Sequence, residues 1–436
     1  MRTTSGRKVA WLSIAGALIA GVAAQAAPMR TADPASEGFS APALAAIGRD
    51  SRRQIAAGQI PGAIALVARD GKLVYLDVAG FQDVEHKVPL RRDTILRLHS
   101  MTKPVVAVAA MILVEQGKLS LDDPVSKYAP AFAHTRVYVS GEGEAMRTEP
   151  LRRPLLVRHL LTNTSGITNQ GLGDTPVHRL YAQRDVVVAT SPSLAVAVDQ
   201  IAALPLLFQP GENWEYGMSA DVLGYVVQQA AGMPLDEFLK QAIFEPLGMK
   251  DTAFRLGDDK LNRFWSQYER TPEGLRLVHT PADSPWRGRR TTPSGSGGLI
   301  STADDYLRFA QMLANGGELG GVRILRPETV RAMRTDHLAP DQQLSSWTGF
   351  GGATGFGYGL AVERDVRARC VSGSNGTFFW SGSEQTFFWV DPDTHIVGMW
   401  LSQVTVDPFE WSQDNVMRRL TYAAFKGPPE VFRCRK

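Results

Sequence analysis

The chain holds only two cysteines, Cys370 and Cys434, and eight histidines in 436 residues. That scarcity leaves no zinc-type ligand spacing, and no H-E-x-x-H, P-loop or dinucleotide fingerprint is present, so no metal and no cofactor is expected. In an exported protein the two thiols could form a disulfide, and two unpaired thiols fit the sequence equally. Charge of one sign is also scarce, with 47 Lys and Arg against 44 Asp and Glu. The basic residues are not clustered, which argues against a nucleic-acid partner. Long apolar runs are missing except near the start. There Arg2, Arg7 and Lys8 precede an almost wholly apolar Val9 to Ala24, followed by the small-x-small string Ala24-Gln25-Ala26. This pattern is expected to be a cleaved leader over 1–26, with export to the periplasm or medium and no stable membrane span afterwards. Its removal takes three basic and no acidic residues, so the remaining chain has no formal net charge.

What is present is the composition of a globular protein, 44% hydrophobic and 21% charged, long enough for one large domain or two ordinary ones. Ser40 to Gln59 has helical periodicity. Gly62 to Arg69 and Leu73 to Val78 are β-rich and flank Asp70-Gly71-Lys72, a hairpin signal. Residues 118 to 290 read as helical segments broken by Pro and Gly, with few strand signals. Ser301 is expected to cap a helix running to Leu313. Strands return at Thr377 to Ser381, Thr386 to Val390 and Ile396 to Gln403, before a closing helix over Pro408 to Phe425. Strands at both ends with helices between predict an α/β (α+β) fold with an antiparallel sheet. Residues 27–117 and 291–436 would form a discontinuous α/β domain, and 118–290 a mainly helical, all-α one.

Ser100-Met101-Thr102-Lys103 precedes an apolar run that predicts a helix opening at Ser100 and stopping at Gly117. Ser and Lys three apart on a helix face the same way, so a hydroxyl would sit beside an amine able to take its proton. A serine alcohol needs such a neighbour to act as a nucleophile, and a helix start offers positive potential to a developing oxyanion. Tyr216, in the loop Trp214-Glu215-Tyr216-Gly217-Met218, is a second candidate base, active in that role only where cations favour its phenolate. Trp380-Ser381-Gly382-Ser383, on a strand, could lend the Ser383 N–H to an oxyanion hole with the N–H of Ser100. His99 is expected to point away from the site, as a sequence neighbour usually does. Asn163-Thr164-Ser165 and Gly295-Ser296-Gly297 carry no expected function, and Asp304 and Asp305 are read as supporting their helix start.

Taken in order, these segments resemble the serine β-lactamase and penicillin-recognising superfamily, most closely its class C-like branch with the family VIII carboxylesterases. The resemblance covers roughly 35 to 425. It includes the strings Leu160-Leu161-Thr162-Asn163-Thr164-Ser165-Gly166-Ile167 and Asp221-Val222-Leu223-Gly224. It also includes Phe244-Glu245-Pro246-Leu247-Gly248-Met249 and Gly297 through Tyr306. It implies a β-lactamase-like fold, Ser100 as the acylated nucleophile, Lys103 and Tyr216 sharing the proton, and the Ser100 and Ser383 amides as oxyanion donors. Two positions depart from the lactamase pattern. Met218 stands where an amide-binding Asn is usual, and Trp380-Ser381-Gly382 stands where K-T-G is usual. A neutral indole cannot grip a carboxylate but can wall an acyl or alcohol group. With Met218, Trp380, Ser381 and Gly382 as substrate contacts, a small-molecule ester is the expected substrate. Weak β-lactam hydrolysis is expected as a side activity, and amide cleavage by a β-lactamase-like or D-amino-acid peptidase-like enzyme is the alternative.

Overall fold

The Asp70-Gly71 dipeptide turns as its composition predicts, with φ of 47° and 75°, and the strands on either side pair antiparallel from Arg69↔Lys72 to Gly62↔Gly80. They belong to a computed structural model that describes residues 29–288, 292–345, 350–406, 413–427 and 431–434. The expected leader and the first residues of the expected closing helix lie outside them.

In chain order the central sheet takes β1 (Arg30–Thr31), β2 (Gly62–Arg69), β3 (Lys72–Asp83), β4 (Val88–Pro89) and β5 (Thr354–Phe356). It continues with β6 (Ala361–Glu363), β7 (Phe378–Gly382), β8 (Thr386–Asp391) and β9 (Ile396–Leu401). The spatial order is β1-β3-β2-β9-β8-β7-β6-β5, with β4 paired to β3. Neighbours are antiparallel except β1, which runs parallel to β3. The sheet therefore joins the two ends of the chain, and β2 meets β9 from Ile64↔Leu401 to Arg69↔Ile396.

Of the helices α1 (Ala41–Ala56), α2 (Thr102–Glu115), α3 (Ser219–Ala231), α4 (Ala303–Ala314) and α5 (Gln413–Ala424), α1, α4 and α5 pack on the sheet. Successive strand residues face opposite sides, which decides what covers each face. On one side Trp400 Nε1 donates to Ser51 Oγ of α1 at 3.4 Å, and α5 packs beside α1. On the other, Phe388 meets Tyr306 of α4 with ring centroids 5.2 Å apart. Both faces being covered, β8 and β9 are buried at every residue, as their unbroken apolar text demands. α2 is buried from Thr102 to Leu113 and packs on α3.

Several expectations shift. The helix foreseen from Ser100 is a 3-10 turn over His99–Met101, and α-helix begins only at Thr102. Ser301 is not a cap. It pairs with Leu96 in a two-stranded ladder, and Thr302 caps α4 by accepting from Asp305 N. The stretch 118–290 carries its helices and also two hairpins, Arg136–Ser140 with Arg147–Pro150 and Gln267–Thr271 with Gly274–His279. Cys370 and Cys434 are disulfide-bonded, with Cα atoms 5.2 Å apart. Among the described residues no helix is long and apolar enough to cross a membrane.

Candidate active site

Ser100 sits in the 3-10 turn just ahead of the buried helix α2, and that turn is held from three sides. Met101 N donates to Leu98 O at 3.1 Å, Tyr306 Oη to Met101 O at 2.9 Å, and Leu299 N to Thr102 Oγ1 at 3.1 Å. Lys103, three residues on, is only 6% exposed, and its Nζ donates to Ser100 Oγ at 3.3 Å. Tyr216 Oη reaches the same hydroxyl at 2.5 Å, and Lys103 Nζ lies 4.5 Å from the Tyr216 ring centroid. One serine oxygen thus contacts an amine and a phenol at once. Either group can take the serine proton only in its deprotonated form, as a free amine or a phenolate, and the Lys103 nitrogen lies over the Tyr216 ring face, where a positive charge on it would be favoured.

The support of Lys103 and Tyr216 comes from segments to which the sequence assigned no function. Ser296 O accepts from Lys103 Nζ at 2.7 Å. Asp221, 2% exposed in the first turn of α3, accepts from Ser294 Oγ at 2.7 Å and Ser296 N at 3.1 Å through Oδ1, and so fixes that carbonyl. Gly295 allows the approach, since a Cβ there would lie 2.2 Å from Ala220 O. The Asn163–Thr168 segment holds the tyrosine loop. Gly211 N donates to Thr164 O at 2.7 Å, Glu215 N to Asn163 O at 2.9 Å, and Met218 N to Thr168 O at 3.3 Å. A backbone carbonyl has no sequence signature, so only Asp221, an acid in a largely apolar helix, could have signalled this frame.

A cavity of about 260 Å³ opens over the three groups. Val186 to Ala189 form one apolar wall, Asn169 and Gln170 give a polar edge, and Met218 is among the lining residues. Trp380 is 5% exposed and packs its ring on Tyr216, centroids 5.8 Å apart, and edge-on to Phe356 at 5.4 Å. Ser381 alternates to the opposite face of β7, pairing with Phe387, and Gly382 pairs with Thr386 at the strand end. Ser383 follows, exposed, in the turn between β7 and β8. His99 does not point away. It lines the cavity, and its Nε2 lies 2.7 Å from Glu384 Oε1. Asp304 pairs with Arg92, while Asp305 accepts from Asp251 N and Thr252 Oγ1 in addition to its place near the helix start. Among the described residues no group of three or more His, Cys, Asp and Glu could hold a metal ion.

Glu215, next to Tyr216, is partly buried, and the desolvation pushes its carboxyl from 4.5 up to about 7 against hydrogen bonds from Thr168 Oγ1 and Ser345 Oγ. His178, 3.6 Å away, is held below its usual range by burial. The unfolded chain releases the Glu215 proton near 4.5 while the folded protein keeps it to about 7. Stability is therefore fully present below 4.5 and falls as pH rises through about 7, by at most about 3 kcal/mol. Glu215→Gln should flatten this dependence. Thermal melts of both proteins at pH 5 and pH 8 should show the wild type losing more stability than the variant across that interval. Parallel losses would contradict the assignment. Asp305, raised to about 6 by burial, contributes equally to both proteins and cancels.

The family model described as beta-lactamase matches residues 47–423. An uncharacterized protein of Mycobacterium tuberculosis is 38% identical over 352 residues, covering 80% of this chain and 86% of its own length. Esterase EstB of Burkholderia gladioli is 33% identical over 351 residues, 76% of this chain and 83% of its own. Among solved structures, EstCE1, described as a hydrolase with promiscuous acyltransferase activity, superposes with a TM-score of 0.75. Its identity is 29%, over 87% of this chain and 99% of that one.

Proposed function

The chain belongs to the beta-lactamase family, and from that premise we propose an exported serine esterase that cleaves carboxylic esters through an acyl-Ser100 intermediate. The observation that carries the reading is the double contact on Ser100 Oγ, by Tyr216 Oη at 2.5 Å and Lys103 Nζ at 3.3 Å. Ser100 Oγ attacks the ester carbonyl and its proton passes to the Lys103–Tyr216 pair. The carbonyl oxygen becomes an oxyanion held by the Ser100 and Ser383 amides. Collapse breaks the ester C–O bond, and the alcohol leaves with the proton. A water then gives its proton to the same pair, attacks the acyl carbon, and frees the carboxylic acid and Ser100.

Esters are favoured over β-lactams by the residues at two positions, one lining the cavity and one packed behind Tyr216. Met218 has no amide to bind a lactam side chain. Trp380, buried on Tyr216, presents no cation for a carboxylate. Weak β-lactam hydrolysis is expected as a side activity. The Val186–Ala189 wall and the modest cavity suit a short apolar acyl group. EstB and EstCE1, an esterase and a hydrolase by their descriptions, agree with this direction. Export rests on the charged-then-apolar segment 1–26 and accords with the Cys370–Cys434 disulfide. The cavity takes lining residues both from the stretches proposed as the α/β domain, 27–117 and 291–436, and from the mainly helical one proposed for 118–290.

The test is a panel of p-nitrophenyl esters from acetyl to decanoyl, with nitrocefin and a D-Ala-D-Ala peptide. The short esters should have the highest kcat/KM. A ten-fold or greater preference for either amide substrate would overturn the ester reading in favour of an amide-cleaving relative.

A further inference from the structure

We infer that His99 and Glu384 form a positioning pair that locks the turn carrying the Ser383 amide against the turn carrying Ser100, an assignment that rests on the ester-hydrolase reading above. The two residues are 285 apart in sequence, yet Nε2 and Oε1 are 2.7 Å apart. Glu384 is 1% exposed while the His99 side chain, at the cavity wall, is 21% exposed, so the carboxylate end of the contact is shielded from water. His99 holds φ at +46°, a left-handed conformation uncommon outside glycine. That backbone lets His99 reach Glu384 although it directly precedes the nucleophile. The ring is also set edge-on to Trp286, centroids 5.5 Å apart at 76°.

The partner turn, Ser383 to Gln385, is fixed on its own side. Ser402 N donates to Gln385 O at 3.0 Å and Val404 N to Glu384 O at 3.4 Å. A second contact joins the two turns: a Cβ on Gly382 would stand 2.3 Å from Leu98 O, so only glycine permits the approach. Thr386 Oγ1 reaches the same carbonyl at 3.4 Å. Ser383 therefore lies between Gly382 and Glu384, which touch Leu98 and His99, and Ser100 comes immediately after those two. The His99–Glu384 bond sets the distance and angle between the two backbone amides assigned to the oxyanion. Neither side chain needs to touch substrate for this. An oxyanion donor acts only when it is aimed at the transition-state oxygen, so a displaced turn costs rate rather than binding.

The experiment measures kcat and KM for p-nitrophenyl acetate in wild type, Ser100→Ala, His99→Ala, Glu384→Ala, the double alanine variant and Glu384→Gln. Each single alanine should lower kcat about 10- to 100-fold with KM within about two-fold. The double variant should be no worse than either single, because both remove one contact. Glu384→Gln, which still accepts a hydrogen bond, should recover most of the loss. Unchanged kcat in Glu384→Ala, or losses that multiply in the double variant, would overturn the pairing while leaving the ester reading intact. An inactive wild type would remove both. Should the alanine variants fail to fold, Glu384→Asp, shorter by one methylene, decides: a reduced kcat supports the pairing and a wild-type kcat refutes it.

Discussion

Ser100→Ala should lower kcat for short-chain ester hydrolysis by at least about 10⁴-fold and leave KM within a few-fold. The magnitude follows from what the substitution removes. Without Oγ no acyl-enzyme forms, and any remaining rate must come from water oriented by the pocket. The fold should not suffer, because the turn around Ser100 is held through backbone atoms of Leu98 and Met101 and the side chains of Thr102 and Tyr306. An unchanged melting temperature beside a collapsed kcat is the expected combination. A variant retaining even a tenth of wild-type activity would mean that the nucleophile lies elsewhere.

The second large effect is at the proton acceptors. Lys103→Ala and Tyr216→Phe should each reduce kcat by roughly 10²- to 10⁴-fold, the usual span for removing a positioned acid–base group. The double variant should fall little below the worse single. Both groups serve one oxygen, and Lys103 Nζ lies over the Tyr216 ring, so the pair acts as a unit. Rates for the three variants, measured across pH, check this. Losses that multiply would mean that the two act at separate steps. Lys103→Ala carries an additional consequence, because it leaves Ser296 O without its donor at 2.7 Å and loosens the loop fixed by Asp221. Tyr216→Phe keeps the ring packing on Trp380 and Trp214, so its effect should be confined to rate.

The parts of the fold read from local pattern were the ones that local physics decides. Two β-rich runs on either side of a turn signal give β2 and β3, and the apolar stretches Phe387 to Val390 and Ile396 to Leu401 give β8 and β9. The Ser-x-x-Lys spacing put Ser100 and Lys103 on one face, although the turn around Ser100 proved to be 3-10. Where two adjacent residues can serve equally, tertiary pairing chose between them. Ser301 and Thr302 are both good caps, and Ser301 was taken by its ladder to Leu96. Trp380 was legible as a neutral replacement for a cation, but its stacking on Tyr216 depends on which face of β7 it occupies and on a loop more than 160 residues earlier. Ser296 O and Asp221 escaped because a carbonyl is invisible in sequence and an acid in a first helical turn has a sufficient local explanation. His99–Glu384 escaped for a related reason: neighbours of a nucleophile normally diverge, and only a left-handed backbone at His99 brings it to Glu384.

The most direct test is mass spectrometry of the protein after brief exposure to a fluorophosphonate or a slowly released ester. One covalent adduct per chain is expected, located on the peptide that contains Ser100 and absent from Ser100→Ala. An adduct on another residue, or rapid ester turnover with no adduct at Ser100, would contradict catalysis through acyl-Ser100.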